Sequence, residues 1–486
     1  MPSLNPPPEA YFAPTSTEVI VPTVEDNIHD IIGRWTDERL SHPAIVVVPS
    51  NHADIIAAVK YAAANKLTLV VGAGGHKVVP INETTLYVDM RKFNHISVDS
   101  DHMSVTFGGG VSNQKLLEAL YDRGLYTTLA NSGAVGMVGF ILGGGLSGLS
   151  SAHGLVIDNV LAFEGITASG EPITLDASSS TGEERSLFDV LCGAGIGLLA
   201  ITSVTMRAFR LSSLQLADTT NFWVRKWTFP GSAIQVVADF FKSLVPVEQK
   251  MLPLLIFARA PPSAPVPGVP VLILSISYFG PSKEAEAFVD PLVTSEVSSL
   301  AITCDTSLTP LVHMFDSNKM LDVHGGFKSQ HMAPCMDFSA VTIVEAFQRW
   351  KRFGDEVEDA RPFTAVIIFA YNPAVVIANG SSSDPERRGL RPFVARDRPV
   401  FAQALTWYRN RETKPLTERF ITDFLETIRR DDNARGYLPV TMPNNFRDGT
   451  AVDLGYTKEQ LVEIRRVHRK WNGEGVLYNV LEDDGR

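Results

Sequence analysis

Glycine is concentrated in three segments of the chain, and no other feature constrains the fold as strongly. The segments are residues 72–75, 133–145 and 193–197, and the first lies within the sequence VVGAGGHKVV. Glycine costs backbone entropy and is tolerated best where another group must approach the backbone closely. Exposed N–H groups of glycine turns also form concave anion-binding surfaces. Three such segments in one region therefore favour a phosphate-bearing ligand over a set of unrelated tight turns.

The sequence GGGLSG at residues 143–148 matches the GxGxxG pattern of dinucleotide-binding Rossmann folds. That interpretation requires a preceding strand, a following helix and an acidic residue about twenty positions further on. Residues 149–160 predict only a weak helix, and Glu164, at the appropriate distance, falls in a predicted hairpin. We therefore reject a Rossmann fold for this segment.

Bulk composition indicates a globular protein with more than one domain. The chain has 486 residues, 45% of them hydrophobic, and a formal net charge of −11, which does not favour nucleic acid or an anionic membrane as a partner. The N-terminus lacks the features of a signal peptide, and no apolar stretch is long enough to span a bilayer, so we expect a cytoplasmic protein. Cys192, Cys304 and Cys335 show neither disulfide nor metal spacing, so no metal site is predicted.

Four segments, in order, resemble the FAD-binding domain of the berberine-bridge-enzyme-like branch of the vanillyl-alcohol-oxidase (PCMH-type) flavoproteins. They are VKYAAANKLTLVVGAGGHK, VDMRKFNHISVD, AVGMVGFILGGGLSGLSSAHGLVIDNV and LFDVLCGAGIGLLAITSVTMRAF, and the tail LVEIRRVHRKWNGEGVL is similar to the closing segment of that family. The resemblance implies an α+β fold. We expect an N-terminal extension (1–39), a two-subdomain PCMH-type FAD-binding domain (40–210), a substrate lobe with an antiparallel sheet flanked by helices (211–434), and a C-terminal segment that returns to the FAD-binding domain (435–486).

The resemblance also implies how FAD is held. In that family the histidine of the Gly-Gly-His loop is bonded to the 8α-methyl group of the flavin, and His76 occupies that position. Many members carry a second bond from a cysteine, and Ser132 stands there instead, so we predict a single 8α-histidyl link. The predicted cofactor-binding residues are Gly72, Ala73, Gly74, Gly75, His76, Lys77, Ser132, Val135, Gly136, Gly139, Gly143, Gly144, Gly145, His153, Gly154, Asp158, Asn159 and Ile201.

A flavoprotein of this kind is expected to remove a hydride from its substrate and to pass the electrons to O₂. The predicted substrate lobe is rich in Phe, Leu and Ile and poor in clustered charge, which favours a small, mostly uncharged secondary metabolite. We expect a monomer or homodimer. Candidates for the catalytic base are Tyr437, placed first because the C-terminal strand returns to the flavin in this fold, together with His324, His331, Tyr371 and Tyr278.

Two departures from the family pattern leave the reaction open. The usual Gly-Asn-Phe-Gly is Gly197-Leu198-Leu199-Ala200, and the usual Tyr-x-Asn is Tyr437-Leu438-Pro439, with Asn444 or Asn445 as substitutes for the missing Asn. One alternative is a non-redox cyclase, for example a [4+2] cycloaddition catalyst, that keeps FAD as a structural element. The other is a degenerate flavin-binding module. Release of H₂O₂, or bleaching of the flavin by substrate, distinguishes an oxidase from both.

Overall fold

The computed structural model describes residues 4–381, 391–442 and 452–482, so Asn444 and Asn445 lie outside the described residues. The strands are β1 (Glu18–Ile20), β2 (Ile45–Val48), β3 (Thr68–Gly72), β4 (Thr85–Asp89), β5 (Ile96–Asp99), β6 (Ser104–Gly108), β7 (Leu125–Tyr126), β8 (Val160–Thr167), β9 (Pro172–Asp176), β10 (Leu199–Arg207), β11 (Phe209–Arg210), β12 (Asn221–Pro230), β13 (Met251–Arg259), β14 (Pro270–Tyr278), β15 (Thr303–Pro310), β16 (Phe327–Cys335), β17 (Ala365–Ala370) and β18 (Val400–Tyr408).

The α-helices are α1 (Pro8–Phe12), α2 (Ile28–Ile31), α3 (His52–Asn65), α4 (Asn113–Tyr121), α5 (Met137–Leu142), α6 (Ser150–His153), α7 (Gly182–Ala194), α8 (Ile234–Ser243), α9 (Ser282–Val289), α10 (Ser295–Leu300), α11 (Ala340–Glu356), α12 (Ala374–Gly380), α13 (Lys414–Ala434), α14 (Val452–Gly455) and α15 (Lys458–Trp471). Short 3₁₀ helices occur at Met90–Lys92, Val156–Asn159, Leu211–Leu214, Gly231–Ala233, Asp290–Leu292, Leu311–His313, Asp316–Leu321 and Arg411–Thr413.

A four-stranded sheet opens the fold, in the order β1-β2-β4-β3. Helix α3 connects β2 to β3; it is capped by Asn51, whose side chain accepts from the Asp54 N–H, and it ends at Lys66 in the left-handed region. Strands β2 and β3 both run parallel to β4, which lies between them. The sequence correctly predicts parallel strands here, but a later strand separates the two that the helix connects.

An antiparallel sheet of five strands follows, in the order β5-β6-β10-β8-β9. The two predicted hairpins form: β5 pairs with β6, and β8 pairs with β9 around Gly170, whose φ of 81° suits the turn. The predicted helix before β10 is α7, which departs from helical geometry at Cys192 and Gly193 just before its end.

The third large sheet has seven antiparallel strands in the order β15-β12-β14-β13-β17-β18-β16. Helices α8, α11 and α13 cover one face through a core that includes Trp227, Phe257, Trp350 and Phe424. Alternate residues point to the other face, where Phe401 joins the core of the first two sheets. The antiparallel sheet flanked by helices and the α+β class agree with the expected fold.

The C-terminal segment packs back on the first half of the chain. Ile464 and Val467 of α15 belong to the same buried cluster as α7, and the Leu69 and Tyr478 N–H groups donate to Val476 O and Leu69 O beside β3. Across the described ranges, no helix combines the length and apolarity needed to cross a membrane.

Candidate functional site

A cavity lies where the three large sheets approach one another. Strand β3 runs into it and continues as the loop 73–79, helix α5 forms another wall, and β10 contributes Leu199 and Ile201. Trp35 and Gln330 border it from the N-terminal extension and from β16. Since residues distant in sequence converge here in a concave site, this cavity is the candidate ligand-binding site.

Glycine permits the two main loops of the cavity to touch. A Cβ on Gly74 would lie 2.3 Å from Gly136 N, and a Cβ on Gly136 would lie 2.7 Å from Gly74 N. Gly75 has a φ of 70°, and a Cβ there would lie 2.2 Å from Gly33 O. The glycines of this loop are therefore required for close backbone contact.

Gly139 differs from these, because a Cβ added to it would meet no atom within 4 Å. It lies in α5 and borders the cavity. A helix interior normally disfavours glycine, so an open position here fits a wall that a ligand occupies.

The His76 imidazole borders the same cavity, and its Nε2 is buried with no hydrogen-bond partner among the described residues. Burial, assisted by the nearby charges of His324, Arg34 and Lys328, lowers the pKa of His76 to about 3. The ring is therefore neutral at pH 7 and has a nitrogen lone pair available. Its ring centre lies 5.7 Å from that of Trp35, with 18° between the planes.

The structure places part of the predicted cofactor set at the cavity. The residues of that set that line it are Gly72, Ala73, Gly74, Gly75, His76, Lys77, Val135, Gly136, Gly139 and Ile201. The open wall at Gly139 and the unpartnered Nε2 of His76 fit FAD, which these residues would hold.

Ser132 does not line the cavity, although its neighbour Asn131 does. Its hydroxyl donates to Asp322 Oδ1 at 2.6 Å, and Asn318 Nδ2 donates to the neighbouring Asn131 O at 2.5 Å. Both bonds tie the loop before Val135 to the segment 316–322 of the predicted substrate lobe.

Gly143, Gly144 and Gly145 lie after α5 and do not line the cavity. Gly144 and Gly145 have φ values of 103° and 71°, and a Cβ on them would lie 2.3 Å from the Phe393 ring and 2.6 Å from Val156 Cβ. Tight packing against side chains accounts for the two glycines.

The remaining predicted residues engage protein groups. His153 stacks on Phe209 at 3.6 Å between ring centres, and its Nε2 lies 2.6 Å from Tyr126 Oη. Asp158 forms a bidentate ion pair with Arg396, and Asn159 Nδ2 donates to His153 O and Leu155 O. A Cβ on Gly154 would lie 2.2 Å from Asn379 Nδ2. Their assignment to FAD stays a prediction.

The predicted catalytic residues are dispersed, and none of them lines the cavity. Tyr437 is 39% exposed with the Arg398 guanidinium 5.4 Å from its ring centre, and the buried Tyr371 packs on Phe401. Tyr278 is buried and donates to Glu284 Oε2 at 3.1 Å. His331 shares a strand face with Ala333 and Cys335, which belong to the helix-covered core.

His324 contacts Gly33, next to the cavity-lining Arg34. Its Cε1 would lie 3.3 Å from a Cβ on Gly33, the residue whose carbonyl abuts Gly75. Burial and the charges of Lys328 and Arg34 lower the pKa of His324, which favours the neutral ring.

Sequence reasoning missed several residues that border the cavity: Arg34, Trp35, Gly109, Asn131, Gln330 and Tyr478. Arg34 Nη2 donates to Lys77 O, and Trp35 N donates to Gly75 O at 3.2 Å. The only available signal was a tryptophan beside an arginine in a segment interpreted as an extension. Among the described residues, no group of three or more His, Cys, Asp or Glu side chains could hold a metal ion.

Comparison with known proteins agrees with this geometry. Residues 43–176 match the FAD binding domain family. The chain is 25% identical to the FAD-linked oxidoreductase hasG of Aspergillus fumigatus over 93% of this chain and 94% of that protein. It is 28% identical to the FAD-linked oxidoreductase azaL of Aspergillus niger over 56% of each.

The fold is that of solved BBE-like structures. BBE-like 1 of Physcomitrella patens superposes with a TM-score of 0.78 at 17% identity, covering 98% of this chain and 99% of that one. The chain is an FAD-linked oxidoreductase with the fold of the BBE-like structures. Glucooligosaccharide oxidase of Acremonium strictum, described with a 6-S-cysteinyl, 8α-N1-histidyl FAD, superposes with a TM-score of 0.72 at 17% identity, covering 98% of this chain and 99% of that one.

Proposed function

We propose that this BBE-like protein is an oxidase or dehydrogenase of a small, mostly uncharged secondary metabolite, with FAD held by one covalent bond to His76 and O₂ as the electron acceptor. The observation that carries the proposal is the neutral His76 ring, with its buried and unpartnered Nε2, at the wall of a cavity that is also bordered by Gln330 of the seven-stranded sheet. When bound, FAD supplies the hydride acceptor.

The environment of His76 supports the covalent bond. A neutral imidazole is a competent nucleophile, and protonation would remove the lone pair that the bond requires. The net reaction joins an imidazole nitrogen to the 8α carbon, takes one hydrogen from each, and passes both to O₂ as H₂O₂. Gly74 and Gly75, on the N-terminal side of His76, let the loop pack directly against Gly136 and Gly33, and this contact positions the loop that carries His76.

The contacts of Ser132 support one covalent bond between the protein and the flavin, and not two. Its hydroxyl is engaged with Asp322, and oxygen does not supply the thioether that a cysteine forms. Cys192 and Cys335 are buried in cores, and Cys304 is exposed on β15; none of them lines the cavity.

The residues on the cavity side of the seven-stranded sheet are consistent with an uncharged substrate. Gln330 borders the cavity, and the strand register places Met332 beside Gln403 and Gln330 beside Leu405 on the same face. Amide groups donate and accept hydrogen bonds without charge, and the residues paired with Gln330 and Gln403 across the strands, Leu405 and Met332, are apolar. This surface suits a carbonyl or hydroxyl group on an apolar skeleton.

Of the predicted bases, His324 is favoured by its position. It packs against Gly33 behind the His76 loop, and its lowered pKa keeps the ring neutral, as a proton acceptor at pH 7 requires. We assign His324 the role of substrate base, which requires that the substrate proton reach it from the cavity that His324 does not itself line.

The same sheet face also favours the second candidate, a non-redox cyclase. Gln330 and Gln403 can polarise a carbonyl by hydrogen bonding without exchanging a proton. In that case the flavin keeps its oxidised spectrum through every turnover.

Acid precipitation of the purified protein tests the covalent bond. Yellow colour should stay in the wild-type pellet and be absent from the His76→Ala pellet, while Ser132→Ala, which removes only the hydroxyl bonded to Asp322, should retain it. Flavin that washes entirely out of the wild-type pellet would refute the bond.

Photoreduction tests the acceptor without a known substrate. The flavin is photoreduced anaerobically and then mixed with O₂; an oxidase should regain its yellow colour and release one H₂O₂ per flavin. Reoxidation no faster than that of free reduced flavin would contradict the assignment of O₂.

A further inference from the structure

Lys328 is a lysine that the fold buries completely. It lies on β16, and its ammonium donates to Trp35 O at 2.9 Å and to Val323 O. The ammonium also lies 4.1 Å from the ring centre of Trp407 and 5.2 Å from that of Trp35. No carboxylate of the described residues lies within salt-bridge distance of it.

Such a burial is expensive for the fold. Removing an ammonium from water costs several kcal/mol unless it is well paired, and apolar residues of similar volume often replace buried charges without loss of stability. Burial lowers the pKa of Lys328 to about 8, so it is still charged at neutral pH. Stability alone therefore gives little reason for a lysine here.

The contacts of Lys328 lead to the proposed reacting group. Lys328 contacts Trp35 twice, through the Trp35 backbone carbonyl and through the face of its indole ring. The Trp35 indole in turn stacks on the His76 ring, with 5.7 Å between the ring centres. Trp35 is held on other sides as well, since its N–H donates to Gly75 O at 3.2 Å and its indole Nε1 donates to Leu321 O at 2.8 Å. The indole is thereby a fixed surface against which the imidazole lies.

We propose that Lys328 is a positioning residue for flavin attachment: it fixes Trp35 against His76 so that the imidazole is held in the orientation that forms the bond. This role rests on the covalent link proposed above. Cation–π and charge-assisted contacts restrict the indole, and the indole restricts the imidazole. Lys328 itself touches neither the cofactor nor the bond that forms.

The test measures the rate of attachment. Full-length protein prepared from flavin-limited cells is mixed with saturating FAD, and aliquots are denatured in acid and assayed for protein-bound fluorescence. We expect Lys328→Met to slow attachment by about tenfold, the factor that loss of one charge-assisted contact produces. The matched control is Lys319→Met, an exposed lysine of the adjacent segment that pairs with Asp316 at 2.7 Å.

A double-variant comparison separates positioning from a general structural role. Trp35→Leu should slow attachment to a similar extent, and adding Lys328→Met to it should have no further effect, because Lys328 acts through Trp35. Additive slowing, or attachment by Lys328→Met within about twofold of wild type, overturns the proposal.

Three outcomes separate the role of Lys328 from the covalent link. If Lys328→Met does not fold, Trp35→Leu alone tests the contact, and its attachment at the wild-type rate overturns the proposal. If the wild-type protein gains no acid-stable flavin, the covalent link of the proposed function fails, and the role of Lys328 fails with it. Wild-type attachment with unaltered variants refutes only Lys328.

Discussion

A substitution at Asp158 distinguishes most clearly between a residue that binds the cofactor and one that stabilises the fold. The sequence resemblance assigns it to FAD, whereas the structure pairs its carboxylate with Arg396 through contacts of 2.8 Å and 3.0 Å. The Asp158 side chain is 1% exposed and also accepts from the Leu155 N–H at 2.9 Å. Because Arg396 comes from the segment before β18, this pair joins the predicted substrate lobe to the predicted FAD-binding domain.

The geometry sets the expected cost of breaking the pair. Removing one partner of a buried ion pair costs about 3–5 kcal/mol, because the other charge is left uncompensated. Arg396 is 15% exposed and also donates to Val376 O at 3.1 Å, so Asp158→Asn should fall at the lower end, about 3 kcal/mol. Arg396→Met leaves the more deeply buried carboxylate alone and should cost more.

Chemical unfolding monitored by tryptophan fluorescence measures these losses, with FAD affinity measured on the same substitutions in a His76→Ala background, where no covalent bond can form. The double variant Asp158→Leu/Arg396→Met removes both charges and should be more stable than the sum of the single losses predicts. The structural interpretation is refuted if Asp158→Asn loses more than about tenfold in FAD affinity while its free energy of unfolding stays within about 1 kcal/mol of wild type.

Three further predictions follow from single positions. Gly139→Ala should stabilise the cofactor-free protein by up to about 1 kcal/mol in unfolding assays yet weaken FAD binding about tenfold, because its methyl group enters the cavity; unaltered affinity would contradict the open wall. Burial lowers the pKa of His468 to about 4, so only the unfolded chain gains this proton below pH 6.5; stability should fall between pH 6.5 and about 4, and His468→Gln should flatten that slope. Tyr371→Phe removes a buried hydroxyl with no partner among the described residues, so its melting temperature should not fall, and unchanged turnover would exclude Tyr371 as the base.

The His76 loop was predictable because consecutive residues determine its conformation. A strand that ends in glycines followed by histidine places an imidazole on a loop with exposed backbone, and the resemblance assigns the ligand. Trp35 carries no such signal. It reaches His76 through the pairing of its N–H with Gly75 O, a contact between residues distant in sequence, and no local pattern encodes such a contact.

Glycine alone does not distinguish a ligand from a neighbouring side chain. Gly139 has open space where its Cβ would lie, whereas the Cβ of Gly144 would collide with Phe393, a residue that follows it by hundreds of positions. Both positions are glycine, so the sequence does not distinguish them. Only the partner that fills the space separates cofactor binding from packing.

The strand β16 shows why residue type was a poor guide to the catalytic set. Alternation puts Lys328, Gln330 and Met332 on one face and His331 with Ala333 on the other, but the strand does not encode which face looks toward the cofactor. Choosing by chemistry selects His331, which shares its face with the helix-covered core. In the structure, Gln330 borders the cavity and the Lys328 ammonium donates to the Trp35 carbonyl. Gln330, an uncharged amide, is therefore the residue of this strand that borders the cavity. The substrate proton must then be taken by a group from another segment, such as His324, or must not be transferred at all.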